Sequence, residues 1–330
     1  MKKLINDVNN ILTESLTGFA AANSNIVSLN SNPTYVKRTH SPIKNKVALV
    51  SGGGSGHEPL HAGFVGLGML DAACPGEVFT SPTPDQMLAA AQAVDGGAGV
   101  LFIVKNYEGD VMNFDMGADM FEGEKATVIT NDDVAVEDST YTTGRRGVAG
   151  TVIVEKMVGA AAEQGTNLQD CRALGERINQ QTATMGVALT SCTVPAAGNP
   201  TFDIEDNEIE MGVGIHGEPG RKRMPLNQAD SLAEEMMDAI INDLKPKTSD
   251  QALLFINGFG STPLMELSLM YHSASKLLTK LGVAIDRSLV GNYVTSLDMA
   301  GCSITVTLLD DELVQYWDAP VHTSALRWGC

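Results

Sequence analysis

Three segments of the sequence place residues capable of chemistry at spacings that call for an explanation. The first is Ser51-Gly-Gly-Gly-Ser-Gly-His57-Glu-Pro59. Glycines let backbone N–H groups approach a ligand closely, and the histidine after them can bind or move a proton. A tight turn would account for the glycines, but not for His57. The spacing matches neither phosphate-binding pattern. A Walker loop needs Gly-Lys-Ser/Thr where Gly56-His57-Glu58-Pro59 stands, and a G-x-G-x-x-G fingerprint begun at Gly52 needs glycine where His57 stands. Pro59 suits the first turn of a helix, so the sequence predicts a helix opening here with its N-terminus turned to electron-rich groups. A serine nucleophile elbow is not supported, because Gly53-Gly-Ser55-Gly56-His57 lacks the final glycine.

The second segment is Lys105-Asn-Tyr-Glu-Gly-Asp110, directly after an apolar run. Lys105 and Asp110 suit a surface ion pair worth under about 1 kcal/mol. They equally suit a site in which Asp110 is a general base and Lys105 donates to an oxygen of a small polar substrate. The third is Met211-Gly-Val-Gly-Ile-His216-Gly-Glu-Pro-Gly220. Gly214 and Gly217 leave the imidazole of His216 accessible. A histidine ordinarily titrates near about 6.5, so its neutral form predominates at pH 7 and can act as base, ligand or nucleophile. A turn histidine held by backbone carbonyls fits the same letters.

Weaker signals surround these. Gly144-Arg-Arg-Gly147 suits a phosphate clamp at the start of a helix or an exposed arginine pair. Asp132, Asp133, Glu137 and Asp138 suit magnesium chelation or, better, an acidic solvated loop. His57 and His61 have a metal-ligand spacing but lack a third nearby ligand, so no metal site is expected. The stretch Met265 to Met270 reads as helix core or interface filler.

The elements that must position these residues alternate between short apolar runs and longer helical patterns, the signature of parallel βαβ units and an α/β fold. Strands are expected near Val47 to Val50, Gly99 to Val104 and Ala126 to Ile129, with helices over Pro84 to Val94, Val111 to Met116 and Val148 to Glu163. The chemical loops follow these strands, where open α/β sheets bind ligands. Further on, a strand is expected over Gly186 to Val194 and a helix over Asn227 to Leu244. A strand at Ala252 to Asn257, a helix at Pro263 to Leu281, a strand at Ser303 to Leu309 and a helix at Asp310 to Trp317 follow. A boundary near residue 185 divides the chain into domains 1–185, carrying the glycine-rich and Lys/Asp loops, and 186–330, carrying His216. Two domains fit 330 residues at roughly 150 per domain.

Acidic residues outnumber basic ones 40 to 22, giving a formal net charge of -18, the reverse of a nucleic-acid binder. The longest apolar stretch falls short of the roughly 18 to 20 residues of a membrane helix. The start MKKLINDVNNILTESL resembles a signal peptide only in its lysines, since Asn6, Asp7, Asn9, Asn10 and Glu14 interrupt the apolar segment. Five cysteines without a C-x-x-C pair imply reduced thiols and a cytoplasmic protein.

Gly52-Gly-Gly-Ser-Gly-His57-Glu-Pro59, Lys105-Asn-Tyr-Glu-Gly-Asp110, Thr143-Gly-Arg-Arg-Gly-Val148, Cys192-Thr-Val-Pro195 and Gly214-Ile-His216-Gly-Glu-Pro-Gly220 stand together in this order. The chain thereby resembles the K subunit of the dihydroxyacetone kinase family, through Thr295-Ser-Leu-Asp298 and Trp317-Asp-Ala-Pro320. The resemblance implies a three-layer α/β/α first domain with a parallel sheet, a smaller two-layer α/β second domain, and a homodimer. It implies that His216 attacks the ketone of dihydroxyacetone to form a hemiaminal, which glycerol, lacking a carbonyl, cannot do. By the same carry-over Asp110 takes a proton from the accepting hydroxyl, His57 hydrogen-bonds the bound substrate and assists proton transfer, and Gly53, Gly54 and Lys105 hold its oxygens. His216 would be supplied across the domain interface.

Single-chain relatives that use ATP add a nucleotide-binding domain, and the sequence has no Walker loop, kinase glycine loop or aspartate-rich metal motif. The resemblance therefore implies the phosphotransferase-system type. There a separate L subunit carries ADP or ATP with Mg, an M subunit rephosphorylates it, and this chain binds no cofactor itself. Two other readings stay open. A non-catalytic paralogue would bind dihydroxyacetone as co-activator of a transcription regulator, and a passive lipid or metabolite carrier would show a deep apolar pocket without a catalytic base. His57, Asp110 and His216 together favour the catalytic subunit.

Overall fold

The apolar run at Ala48 does not stop at the glycines. It continues through them as one fully buried strand, Ala48–Ser55, and two six-stranded sheets are built around runs of this kind. The computed structural model describes residues 2–136 and 140–330. Their contacts divide into two units that interleave along the chain. Unit 1 comprises Met1–Thr130, Val152–Arg177 and Gln315–Cys330, and unit 2 comprises Asn131–Thr151 and Ile178–Val314. The single boundary expected near residue 185 differs from this division: residues 131–151 fall in unit 2 and residues 315–330 in unit 1. The reason is long-range pairing that local patterning does not carry. Within unit 1, His322 forms a bridge with Leu67, and Lys156 Nζ donates to the carbonyl of Tyr316 at 2.7 Å.

In unit 1 the strands are β1 (Val27–Ser31), β2 (Thr34–Arg38), β3 (Ala48–Ser55), β4 (Ala72–Val78), β5 (Val100–Lys105) and β6 (Lys125–Thr130), in the order β1-β2-β4-β3-β5-β6. The core pairs β4/β3, β3/β5 and β5/β6 are parallel, as the alternation predicts, and β1 and β2 add an antiparallel edge. Helices α1 (Ile11–Ala22), α2 (Pro84–Val94) and α3 (Glu108–Met120) belong here, with the bodies of α4 (Gly150–Glu163) and α5 (Leu168–Gln180). Val100, Phe102 and Val104 of β5 pack with Met87, Ala91, Phe114 and Ala118 of α2 and α3. Side chains alternate faces along a strand. Val128, in register with Ile103 on the opposite face, lies against α5 at Gly175, where Val158 of α4 also packs. Helices thus cover both faces of this sheet, the three-layer arrangement.

Two expectations at β3 change. The glycines lie in the strand itself, where the ladder pairs Gly52 with Cys74, Gly53 with Pro75 and Gly54 with Gly76. They are needed for close approach, because a Cβ on Gly52 would overlap the carbonyl oxygen of Cys74 and one on Gly54 would sit 2.6 Å from the backbone nitrogen of Thr80. Nor does a helix open at Pro59. Gly56 turns the chain with φ 105°, the Leu60 N–H donates to the His57 carbonyl, and a short 3-10 turn follows at Ala62–Phe64.

In unit 2 the strands are β7 (Thr182–Ala188), β8 (Glu208–Met211), β9 (Lys222–Pro225), β10 (Gln251–Gly258), β11 (Ala284–Gly291) and β12 (Gly301–Leu309), in the order β11-β10-β12-β7-β8-β9. Only β10/β11 is parallel. Helices α6 (Ala229–Leu244) and α7 (Leu264–Lys280) pack with Ala183, Met185, Leu254, Ile256, Ile304 and Val306 on one face. The strand expected over 186–194 begins earlier because Thr182 and Thr184 face Thr307 and Thr305 across the β7/β12 ladder, with hydroxyls 2.8 Å apart. The chain ends in α8 (Asp311–Asp318) and the hairpin β13 (Val321–His322) with β14 (Arg327–Trp328).

Candidate active site

Lys105 is the last residue of β5, and Asp110 lies in the first turn of α3. The strand ends where its apolar run ends, and the helix starts directly after the two residues Asn106 and Tyr107, so five residues of separation become a contact. Lys105 Nζ is 3.2 Å from Asp110 Oδ2 and 5.8 Å from the centroid of the Tyr107 ring. Lys105 is 1% exposed and Asp110 3%, so this is a buried pair and not the surface pair that the spacing also allowed. Asp110 Oδ1 is buried without a hydrogen-bond partner among the described residues. An acceptor left unmatched in a dry place is expensive unless a ligand uses it.

Gly53 is the focus of this cluster. A Cβ there would collide with Lys105 Nζ and would lie 3.4 Å from both Asp110 Oδ2 and His61 Nε2. Only a glycine leaves this corner open. Gly54, also expected at the site, is held against the backbone of Phe79 and Thr80. His57 is buried and stacked on the Phe79 ring, with centroids 5.0 Å apart and planes 16° apart.

His61 is placed where the metal-spacing argument did not put it. Its Nδ1 is 2.7 Å from Glu155 Oε1 and 3.1 Å from Ser51 Oγ, and that hydroxyl donates to the Ile103 carbonyl. Burial pushes the Glu155 carboxyl up to about 8, against the opposing pull of Ser51 and Lys105. Burial, then Lys105 and His57, push His61 well below the usual histidine range. The pair therefore shares one proton between Oε1 and Nδ1 and carries no net charge, which is how two titratable groups tolerate a dry site. Glu155 was missed because it lies 94 residues from His61. Its signal was a Glu-Lys pair inside the otherwise apolar helical run Val152 to Ala162.

In unit 2, Gly214 and Gly217 shape a turn in which His216 and Glu218 meet. His216 Nδ1 is 3.0 Å from Glu218 Oε1, and the His216 backbone N–H donates to Glu218 Oε2 at 2.9 Å. Gly217 has φ 78°, which glycine adopts without strain. Burial would raise the Glu218 carboxyl, but the His216 charge, the hydrogen bond from His216 and the Arg146 guanidinium hold it down at about 2. An ionised Glu218 accepts from Nδ1–H, so in the neutral ring the proton sits on Nδ1 and the lone pair on Nε2. The histidine ring of the turn is thus oriented by a carboxylate. Glu218 stood in the quoted motif without a role, and its spacing of two residues across a glycine was the available signal.

The loop before α4 departs from its expected forms. Asp132 accepts from the backbone N–H groups of Val148 and Gly150 and from the Thr184 hydroxyl, and so caps α4. Asp133 accepts from Arg146, at 2.8 Å from Nε and 2.7 Å from Nη2. Both aspartates are buried, so this part is not a solvated acidic loop, and their oxygens are engaged by protein donors in place of magnesium. Glu137 and Asp138 of that reading lie outside the described residues. Arg145 pairs with Asp243 while Arg146 is fully buried, so the two arginines form neither one clamp nor one exposed pair. Among the described residues no three His, Cys, Asp or Glu side chains stand where they could hold a metal ion, and no helix is long and apolar enough to cross a membrane. In α7, Met270 is core as expected, whereas Met265 is exposed.

The profile of the Dak1 domain matches residues 17–325. The chain is 49% identical over 356 aligned residues to the dihydroxyacetone-binding subunit of the PEP-dependent dihydroxyacetone kinase of Escherichia coli (strain K12), and the match covers 100% of both chains. Among solved structures it is similar to the dihydroxyacetone kinase of C. freundii in its native form. The TM-score there is 0.89 at 34% identity, over 99% of this chain and 60% of that one. It is also similar to a dihydroxyacetone kinase operon co-activator, with a TM-score of 0.88 at 31% identity over 94% and 97% of the two chains.

Proposed function

Because the chain belongs to the Dak1 domain family, among its dihydroxyacetone-binding kinase subunits, we propose that it captures dihydroxyacetone covalently on His216 and presents a hydroxyl of the adduct for phosphorylation. The observation that carries this reading is the contact between His216 Nδ1 and Glu218 Oε1, which orients the ring and engages Nδ1, so that the nucleophile in this reading is Nε2. In the capture step a bond forms between Nε2 and the ketone carbon, the C=O π bond opens, and its oxygen takes a proton to become a hydroxyl. The ring gives up a proton in exchange, and Glu218 balances the positive charge that develops on the ring meanwhile. Glycerol is excluded because it has no carbonyl to attack.

Phosphoryl transfer then requires a base at the accepting hydroxyl and donors on the remaining oxygens. The unmatched Oδ1 of Asp110 supports its assignment as that base, with Lys105 and the backbone of Gly53 and Gly54 holding oxygens and His57 assisting proton transfer. The phosphoryl donor in this reading is a separate L subunit carrying ADP or ATP with Mg, recharged by an M subunit, so that this chain needs no cofactor. A homodimer in the cytoplasm belongs to the same proposal. The test is a single turnover with ATP-loaded L subunit. Dihydroxyacetone should yield dihydroxyacetone phosphate and glycerol should yield nothing; turnover of glycerol at a similar rate would refute capture through the carbonyl.

The similarity to a co-activator supports a second reading, in which the same capture signals to a transcription regulator. Substrate binding without transfer in that assay would select it.

A further inference from the structure

We propose that His61 is a further histidine of the substrate site, whose Nε2–H donates to the accepting hydroxyl of the bound triose beside Lys105 and Asp110, with Glu155 as the positioning residue that holds the ring. The inference rests on the reading of Asp110 as the base for that hydroxyl, and all of its geometry lies within unit 1. His61 is 6% exposed, and its Nε2 is a buried polar atom without a hydrogen-bond partner, as is Asp110 Oδ1. The two side chains meet at one place. A Cβ on Gly53 would lie 3.4 Å from His61 Nε2 and from Asp110 Oδ2, and would overlap Lys105 Nζ. Unmatched polar atoms on two neighbouring side chains are costly in a dry corner, and one ligand group that both gives and takes hydrogen bonds matches them together. Lys105 Nζ, at the end of a flexible side chain, fills the space between them and yields it to the ligand by swinging aside. Gly53 and His61 also line a cavity of about 400 Å³, ample for a three-carbon sugar.

The other ring nitrogen decides that Nε2 is a donor. Nδ1 is 2.7 Å from Glu155 Oε1 and 3.1 Å from Ser51 Oγ, whose own hydrogen goes to the Ile103 carbonyl at 2.6 Å. Burial keeps the histidine and the carboxyl together without net charge, and the other ionisable groups facing the ring are Lys105 and His57. With the shared proton on Oε1, the ring is a neutral imidazole whose hydrogen is on Nε2; with it on Nδ1, the ring is an imidazolium with a hydrogen on both nitrogens. Nε2 carries a hydrogen either way. A hydroxyl has one hydrogen and two lone pairs. Seated at Gly53, it accepts from His61 Nε2–H and Lys105 Nζ and gives its hydrogen to Asp110. In the transfer step that proton passes to the Asp110 carboxylate, the oxygen's electron pair forms the bond to phosphorus, and the bond from phosphorus to the bridging oxygen of the nucleotide breaks. Negative charge thus develops on an oxygen that already has two donors aimed at it. A ketone oxygen in the same place could accept but would leave Asp110 unmatched, so this corner selects the alcohol end of the substrate.

The experiment compares wild-type protein with His61→Phe and His61→Gln at saturating dihydroxyacetone. The adduct is followed by the tetrahedral carbon signal of 2-13C-dihydroxyacetone, transfer by single turnover with ATP-loaded L subunit, and the His61 ring by its imidazole 15N signals. His61→Phe keeps a ring of similar shape and removes the donor. It should retain the adduct signal and slow transfer about a hundredfold, the scale of one donor lost from a developing oxyanion. His61→Gln returns an N–H at a similar reach and should recover about tenfold of that loss. In wild type, Nε2 should carry a proton before dihydroxyacetone is added, and its signal should move on addition. Transfer within threefold of wild type in folded His61→Phe overturns the proposal, as does His61→Gln being no faster than His61→Phe. If neither variant folds, wild type decides: a bare Nε2, or one whose signal ignores saturating dihydroxyacetone, overturns the proposal equally. Failure of the underlying reading looks different: full transfer in Asp110→Asn together with a hundredfold loss in His61→Phe would remove Asp110 as the base while leaving His61 as the donor.

Discussion

Asp110 and Glu218 are both buried carboxylates, yet their surroundings suit them to opposite tasks. Asp110 keeps one oxygen unmatched beside Lys105, an arrangement that fits the base proposed above. Asp110→Asn should abolish phosphoryl transfer while leaving the dihydroxyacetone adduct intact, measured by single turnover and carbonyl NMR; full transfer in that variant would remove the base assignment. Glu218 has every oxygen matched and is held ionised. An unfolded glutamate titrates near 4.5 and folded Glu218 near 2, so its contribution is fully present above pH 4.5 and is lost as pH falls toward 2. At ~1.4 kcal/mol per pH unit this amounts to ~3 kcal/mol. Denaturant unfolding of wild type should show that loss below pH 4.5, and Glu218→Gln should show a correspondingly flatter profile.

At the level of elements, β3 is the device that brings backbone into the site. Its two central glycines differ in what an added methyl would meet, and this separates function from stability. A methyl on Gly53 strikes the end of the Lys105 side chain, which can move, so Gly53→Ala should keep the fold and weaken dihydroxyacetone binding by about tenfold or more. A methyl on Gly54 strikes the backbone of Phe79 and Thr80, which cannot yield cheaply, so Gly54→Ala should cost ~1–3 kcal/mol in stability. Calorimetry and ligand titration on both variants check the contrast, and equal losses of stability would contradict it. The strand at the end of which these residues sit was legible as a β-rich run. Its extension through three glycines was not, because the partner strand that makes glycine necessary there lies about twenty residues further on and no local preference announces it.

For the molecule as a whole, the interleaved division means that unit 1 is completed by the end of the chain. Trp317, Val321 and Leu326 are buried, the Trp317 and Trp328 rings lie 5.4 Å apart, and Lys156 Nζ sits 5.5 Å over Trp328. Each such buried side chain is worth ~1.5–3 kcal/mol, so deleting residues 315–330 removes stability comparable to the low end of a domain's ~5–15 kcal/mol. Thermal unfolding of the truncated chain should show a sharply lowered midpoint, and an unchanged midpoint would show the segment to be dispensable.

What the residues determined unaided was local or chemical in origin. Alternation of apolar runs and helical patterns specified an α/β fold, and the motifs around His57, Lys105, Asp110 and His216 offered groups able to move a proton or to bind a small polar substrate. What only the tertiary structure decided were the partners of those groups. Glu155 behind His61 and Glu218 beside His216 are buried titratable groups that no periodicity marks. Charge in a dry interior is tolerated only where a partner from elsewhere in the chain meets it, and that meeting is a property of the fold, not of spacing.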